Sequence, residues 1–261
     1  PLIEQQTGQS LMNIGEGGGV NYQWAHPSGN YDEALLRSNP TFTNLLLCET
    51  RMPVFQCPST GIPPAGQYDR TSDSWVLNNR QPGSYLGNAT GLEVVQTGMD
   101  KQGRRMGSLD GVLFGMSEIA IRSIEDGTSN TLLVGEALHD VKGQEENGAS
   151  AENGSGSRKD HWYFGGDDID INNDLSEAVG STAVPINYQD AVNVADVCRS
   201  PTSLDCQKAQ LAFGSAHPGG AQIVRGDGSV DFMNEDIDAV TWSDMGTRAS
   251  QVPVQQTGGG R

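Results

Sequence analysis

Basic side chains are scarce in this chain. Sixteen Lys and Arg stand against 33 Asp and Glu, which leaves a formal net charge of −17. That balance argues against a nucleic-acid backbone as partner, because phosphate binding calls for a basic patch. It argues equally against an anionic membrane surface. Hydrophobic residues are few, at 35%, while Gly numbers 34. Such a composition suits long loops and many turns, more than a helical bundle tolerates. No transmembrane run and no signal peptide is present, and no phosphate-binding loop or dinucleotide fingerprint. The sequence opens Pro1-Leu2-Ile3-Glu4-Gln5-Gln6 without an initiator Met. A fragment or processed product, its targeting segment removed, is therefore expected.

What remains is enough for a folded core. The 261 residues permit one large domain or two small ones. We expect a single domain over 1–254 and a flexible tail over 255–261. The acidity reads as solubility or, more sharply, as uptake of a divalent cation. Four cysteines form two local pairs, Cys48 with Cys57 and Cys198 with Cys206. Close spacing and an even count suit two disulfides, and hence an oxidising, extracytoplasmic compartment. Structural thiols remain open, as does a zinc site, although neither pair is Cys-x-x-Cys and no His flanks either one.

Along the chain, short strand-like runs alternate with turn clusters. Tyr31 to Glu49 holds the best helical material, which Asn39-Pro40 splits in two. Met52 to Ser59 reads as a short strand ending in a Pro turn. Residues 60–83 read as loop, and Ser84 to Asn88 begins a strand. Asp110 to Gly115 reads as a turn feeding an apolar strand, and Ile119 to Ile124 as a partly alternating segment. Glu125 to Asn130 is a strong turn signal before the strand Thr131 to Glu136. Residues 142–159 are nearly devoid of apolar side chains. Val184 to Tyr188 reads as extended. His217 to Phe232 reads as a β-hairpin with a Gly226-Asp227-Gly228 turn, since Gly and Asp tolerate the positive φ of tight hairpins. The resulting class is α+β, mainly antiparallel sheet with long loops and short helices.

Several residue sets carry chemistry. Asp167, Asp168, Asp170, Asn172 and Asp174 present oxygen side chains that suit a hard cation such as calcium. The run resembles the start of an EF-hand loop, but Asn173 replaces the sharp-turn Gly and Val179 stands at the twelfth position. A solvated acidic loop, or a turn before a capped helix, explains it equally. His217 and Asp227 are nine residues apart in between. They suit a pair or a shared metal, or a His that pins the hairpin through a carbonyl or through Asp227. Ser129 and Ser215 are the candidate nucleophiles, with no Gly-x-Ser-x-Gly elbow ahead of a His. Glu118 and Glu136 are the candidate carboxylate pair for glycoside chemistry.

Taken together, several blocks resemble a known family. They are Pro1-Leu2-Ile3-Glu4-Gln5, Phe55-Gln56-Cys57-Pro58-Ser59, Ser84-Tyr85-Leu86-Gly87-Asn88, Gly111-Val112-Leu113-Phe114 and Ile124 to Thr131, continued by Gly135-Glu136. Phe213 to Gly220 with Asp227-Gly228-Ser229-Val230 completes the set. The chain resembles the prepilin-like family of planctomycete type that carries a C-terminal His-x9-Asp-Gly motif. That resemblance implies a β-rich, pilin-like or pseudopilin-like head held outside the cytoplasm. Its function would be structural, in a pilus or secretion-related assembly, with no enzymatic activity. Partners would be other pilin-like subunits in a homo-oligomer or fibre, with membrane contact only through an N-terminal helix missing ahead of Pro1. Some pseudopilin heads bind calcium, which makes calcium the candidate cofactor. In that reading Asp126 to Asn130 is a capped turn whose side chains satisfy backbone donors, and His217, Asp227 and Gly228 close the sheet. The alternative is a soluble extracytoplasmic module for a glycan or small solute, with Trp24, Trp75, Trp162 and Trp242 as stacking surfaces.

Overall fold

The computed structural model describes residues 50, 52–59, 83–92, 109–114, 117–138, 179–197 and 203–250. Five strands form one sheet: β1 (Tyr85–Thr90), β2 (Leu132–Glu136), β3 (Val179–Ser181), β4 (Gly220–Arg225) and β5 (Val230–Asn234). Their spatial order is β3-β1-β2-β4-β5. Only the β1–β3 pairing is parallel; β1–β2, β2–β4 and β4–β5 are antiparallel. Four short helices accompany them: α1 (Tyr188–Ala191), α2 (Val194–Val197), α3 (Leu204–Leu211) and α4 (Ala239–Gly246). The expected α+β class, mainly antiparallel with short helices, is the observed one.

The main hydrophobic cluster lies on one face of the sheet. Leu86, Leu132, Ala221 and Ile223 meet Phe213, Ile186 and Trp242 there. Trp242 projects from α4, donates from Nε1 to the Val184 carbonyl at 2.8 Å, and meets Phe213 edge-on with centroids 6.0 Å apart. Phe213 lies so close to the strands that a Cβ on Gly135 would sit 2.6 Å from its ring, and one on Gly180 2.5 Å. Glycine at those two positions lets the backbone approach the ring. Asp238 caps α4 by accepting from the Thr241 N–H at 3.0 Å, and Ser203 caps α3 by accepting from Cys206 N–H at 3.2 Å.

Several local expectations are corrected. Pro53–Phe55 forms a 3-10 turn, and so does Ile121–Ser123. Pro53 has no N–H to give a ladder, and a lone turn at its N-terminus needs none. Residues 110–113 form bends, with Val112 and Phe114 buried. The Val184 to Tyr188 segment is turn leading into α1, because Asn187 adopts a left-handed φ of 56° and its N–H donates to Phe213 O at 2.9 Å. The hairpin is present, but its turn uses positive φ at Gly228 alone. Asp227 contributes its side chain instead: Oδ1 accepts from Ser229 N at 2.9 Å and from Ser229 Oγ at 2.6 Å. The 31–49 helices, the 60–83 loop up to residue 82, the 142–159 loop and the 255–261 tail lie outside the described residues.

Candidate functional site

Three chain segments meet at one end of the sheet. The 3-10 turn Pro53–Phe55 is pinned to β1 because Phe55 O accepts from Ser84 N at 2.8 Å, and Cys57 follows it. Glu136 ends β2 and faces Tyr85 of β1 across the ladder. His217 precedes β4. Its backbone is fixed by Ser215, whose Oγ accepts from His217 N at 3.0 Å and donates to Gly220 O at 2.7 Å. Ser215 N in turn donates to Asn187 Oδ1 at 2.9 Å. A tight turn thus aims the imidazole back over the strand end.

The three side chains come together. His217 Nε2 lies 3.4 Å from Glu136 Oε1 and 3.6 Å from Cys57 Sγ. One ligand atom from each of Cys57, Glu136 and His217 lies within 4.8 Å of the others. The Glu136 carboxylate is only 3% exposed, and its second oxygen accepts from Gln222 N at 2.7 Å. His217 is 34% exposed, so the cluster opens to solvent on the imidazole side. Burial pushes the Cys57 thiol above its ordinary range. The Glu136 carboxylate adds to that shift, against opposing hydrogen bonds from Ser59. Tyr85 is raised too, first by burial and then by Cys57 and Glu136.

This geometry differs from a nucleophilic relay. A Cys-His-acid relay uses one imidazole nitrogen for the thiol and the other for the acid. Here Nε2 faces both partners, and burial raises the thiol rather than lowering it toward the reactive thiolate. What the cluster supplies is three convergent donors of mixed softness: sulfur, imidazole nitrogen and carboxylate oxygen.

The other sequence-derived sites fare differently. His217 and Asp227 do not pair, because the length of β4 separates them. His217 turns to Cys57 and Glu136, while exposed Asp227 bonds Ser229. Asp227 N also donates to Thr128 O at 3.2 Å, and Gly226 N to Thr131 O at 2.8 Å, so the hairpin turn docks on the Asp126 to Asn130 turn. Within that turn Asn130 Nδ2 donates to Asp126 O at 2.7 Å, which satisfies an acceptor rather than a donor. Asp126 Oδ2 does serve a backbone donor, Ser250 N at 2.5 Å, but outside the turn.

Cys57 is a buried thiol, so the expected Cys48–Cys57 disulfide is not formed. Its sulfur faces His217 instead. Cys206 is disulfide-bonded; Cys48 and Cys198 lie outside the described residues. So do Asp167, Asp168, Asp170, Asn172 and Asp174, along with Trp24, Trp75 and Trp162. Trp242 is core, not a stacking surface. Ser129 is exposed and Ser215 is committed to backbone bonds. Glu118 is exposed and has no place in the cluster that holds Glu136.

No curated protein and no solved structure matches the chain. A family model matches residues 1–240, a span that includes every described strand and all three members of the cluster. On that match the chain belongs to the family described as "Protein of unknown function (DUF1559)".

Proposed function

We propose that this chain is the globular head of an extracytoplasmic structural subunit, one that assembles with like subunits in a pilus-like or pseudopilus-like array. The carrying observation is the edge of the sheet. Among the described residues β5 is the outermost strand on its side, and Val230 and Phe232 on it are 62% and 46% exposed. Met233, between them and the next turn, packs toward the core, so the alternation leaves an apolar row facing out. The ladder extends that row inward, since Val230 pairs with Val224 and Val224 with Val134. An edge strand with outward hydrophobic side chains is a template for pairing with another chain, and the one charged side chain on β5, Asp231, is engaged by Arg225 of β4 at 2.5 Å. A self-associating subunit puts that template to use. The block pattern from Phe55 to Val230 supports the same reading through its pilin-like resemblance.

Self-association is the test. Sedimentation of the wild-type chain over a concentration series is expected to show reversible oligomers, and Phe232→Lys to remain monomeric at unchanged melting temperature. A wild-type chain that stays monomeric at every concentration, or a Phe232→Lys variant that associates as before, would overturn the reading.

A further inference from the structure

We propose that Cys57, Glu136 and His217 form a zinc-binding site that clasps the segment before β1 to the ends of β2 and β4. The argument begins with distances. Zinc bonds of about 2.3 Å to sulfur and about 2.0–2.1 Å to nitrogen and oxygen, set tetrahedrally, give ligand–ligand edges of roughly 3.4–3.6 Å. The observed Nε2–Oε1 and Nε2–Sγ separations are 3.4 and 3.6 Å. Two edges of the tetrahedron are therefore already in place.

The donor set selects the metal. Calcium and magnesium take oxygen ligands, whereas a thiolate beside an imidazole suits zinc. This site is thus chemically distinct from the acidic 167–174 run and from its calcium expectation. Charge balances as well. Zinc replaces the Cys57 S–H proton, which leaves to solvent, while His217 enters neutral and Glu136 as carboxylate. The two positive charges then meet two negative ones in a largely buried setting. Groups behind the ligands are also present: Gln222 N holds the remaining oxygen of Glu136, and Ser215 Oγ holds the His217 backbone. The fourth position lies on the exposed side of His217 and falls to water.

Each ligand comes from a different sequence block, and Cys57 and His217 are 160 positions apart. Binding there closes a long loop, so the metal favours the folded chain over the unfolded one. This inference is independent of the assembly reading.

Cobalt(II) is the probe, added to the whole chain with its disulfide intact. One equivalent is expected to produce a thiolate-to-cobalt charge-transfer band, which one equivalent of zinc abolishes. Cys57→Ser is expected to remove the band, and His217→Ala to weaken cobalt binding more than ~100-fold, beyond the loss typical of a supporting residue. Asp227→Asn, at the far end of β4, is expected to bind as wild type. The absence of a band in the wild-type chain overturns the proposal, as does a band that survives Cys57→Ser. If Cys57→Ser does not fold, His217→Ala decides at the partly exposed ligand: wild-type affinity there overturns the proposal.

Discussion

Gly135→Ala would press a methyl group against the Phe213 ring in the core. A Cβ at that position lands 2.6 Å from Phe213 Cδ1 and 3.1 Å from Cε1. The ring has little room to retreat. It is fully buried, meets Trp242 edge-on, and its far end, Cζ and Cε2, lies over Gly180 of the same sheet. Overpacking of this kind costs about 1–3 kcal/mol. For a domain of this size each kcal/mol lowers the melting temperature by roughly 2–4 °C, so a mid-range loss of about 2 kcal/mol corresponds to a drop of roughly 4–8 °C.

The cause is separable by a double-mutant cycle. Phe213→Leu alone loses the edge contact with Trp242 and part of the buried ring area, at about 1–2 kcal/mol. Because the smaller side chain vacates the space the new methyl needs, the double variant is expected to lose at least ~1 kcal/mol less than the sum of the singles. Urea unfolding of the four proteins measures it. Additivity within about 0.5 kcal/mol would refute the claim that ring contact is why glycine stands at 135.

Three further outcomes are expected. Ser215→Ala leaves the buried Gly220 carbonyl without its donor and His217 N without its acceptor; urea unfolding should show a loss of about 1–3 kcal/mol, and cobalt affinity should fall with it. Asp227 is depressed to about 2, first by the Ser229 hydroxyl and then by the Ser229 N–H and the Ser129 side chain. Its stabilising contribution is therefore complete above the unfolded carboxylate range near 4 and lost as pH falls through about 2; carbon-detected NMR titration should find that midpoint, and Asp227→Asn should flatten the acid limb of stability. Trp242→Phe keeps most of the core volume but leaves Val184 O without the indole N–H; thermal unfolding should register a loss of about 1–3 kcal/mol.

The legible parts of this fold were those written locally. β2 is a β-branched and aliphatic run behind a turn signal, and the β4–β5 hairpin encloses its own Gly-Asp-Gly turn, so each depends on residues a few positions apart. The helices are less legible, for physical reasons. α3 buries Gln207 and Gln210 while exposing Leu204, which inverts the pattern that amphipathicity relies on. α4 exposes Val240 and buries Trp242 within a single short helix, too brief for a period to emerge. The turn at Pro53–Phe55 has strand-like composition, but its proline removes a ladder donor.

The candidate site was illegible for a different reason, one of distance along the chain. Cys57, Glu136 and His217 each stand inside a recognisable block, yet a lone sequence displays proximity only as short spacing. Spacing alone couples Cys57 to Cys48 and His217 to Asp227. The sheet order breaks both pairings. Placing β2 between β1 and β4 brings the start of β1, the end of β2 and the start of β4 to one edge of the core, and the residues at those ends inherit each other. The nine residues between His217 and Asp227 then act as a spacer. They carry one strand from the Cys-Glu-His cluster at one end to the Asp126 to Asn130 turn at the other, so a motif that looks like one site in sequence joins two separate ones in space.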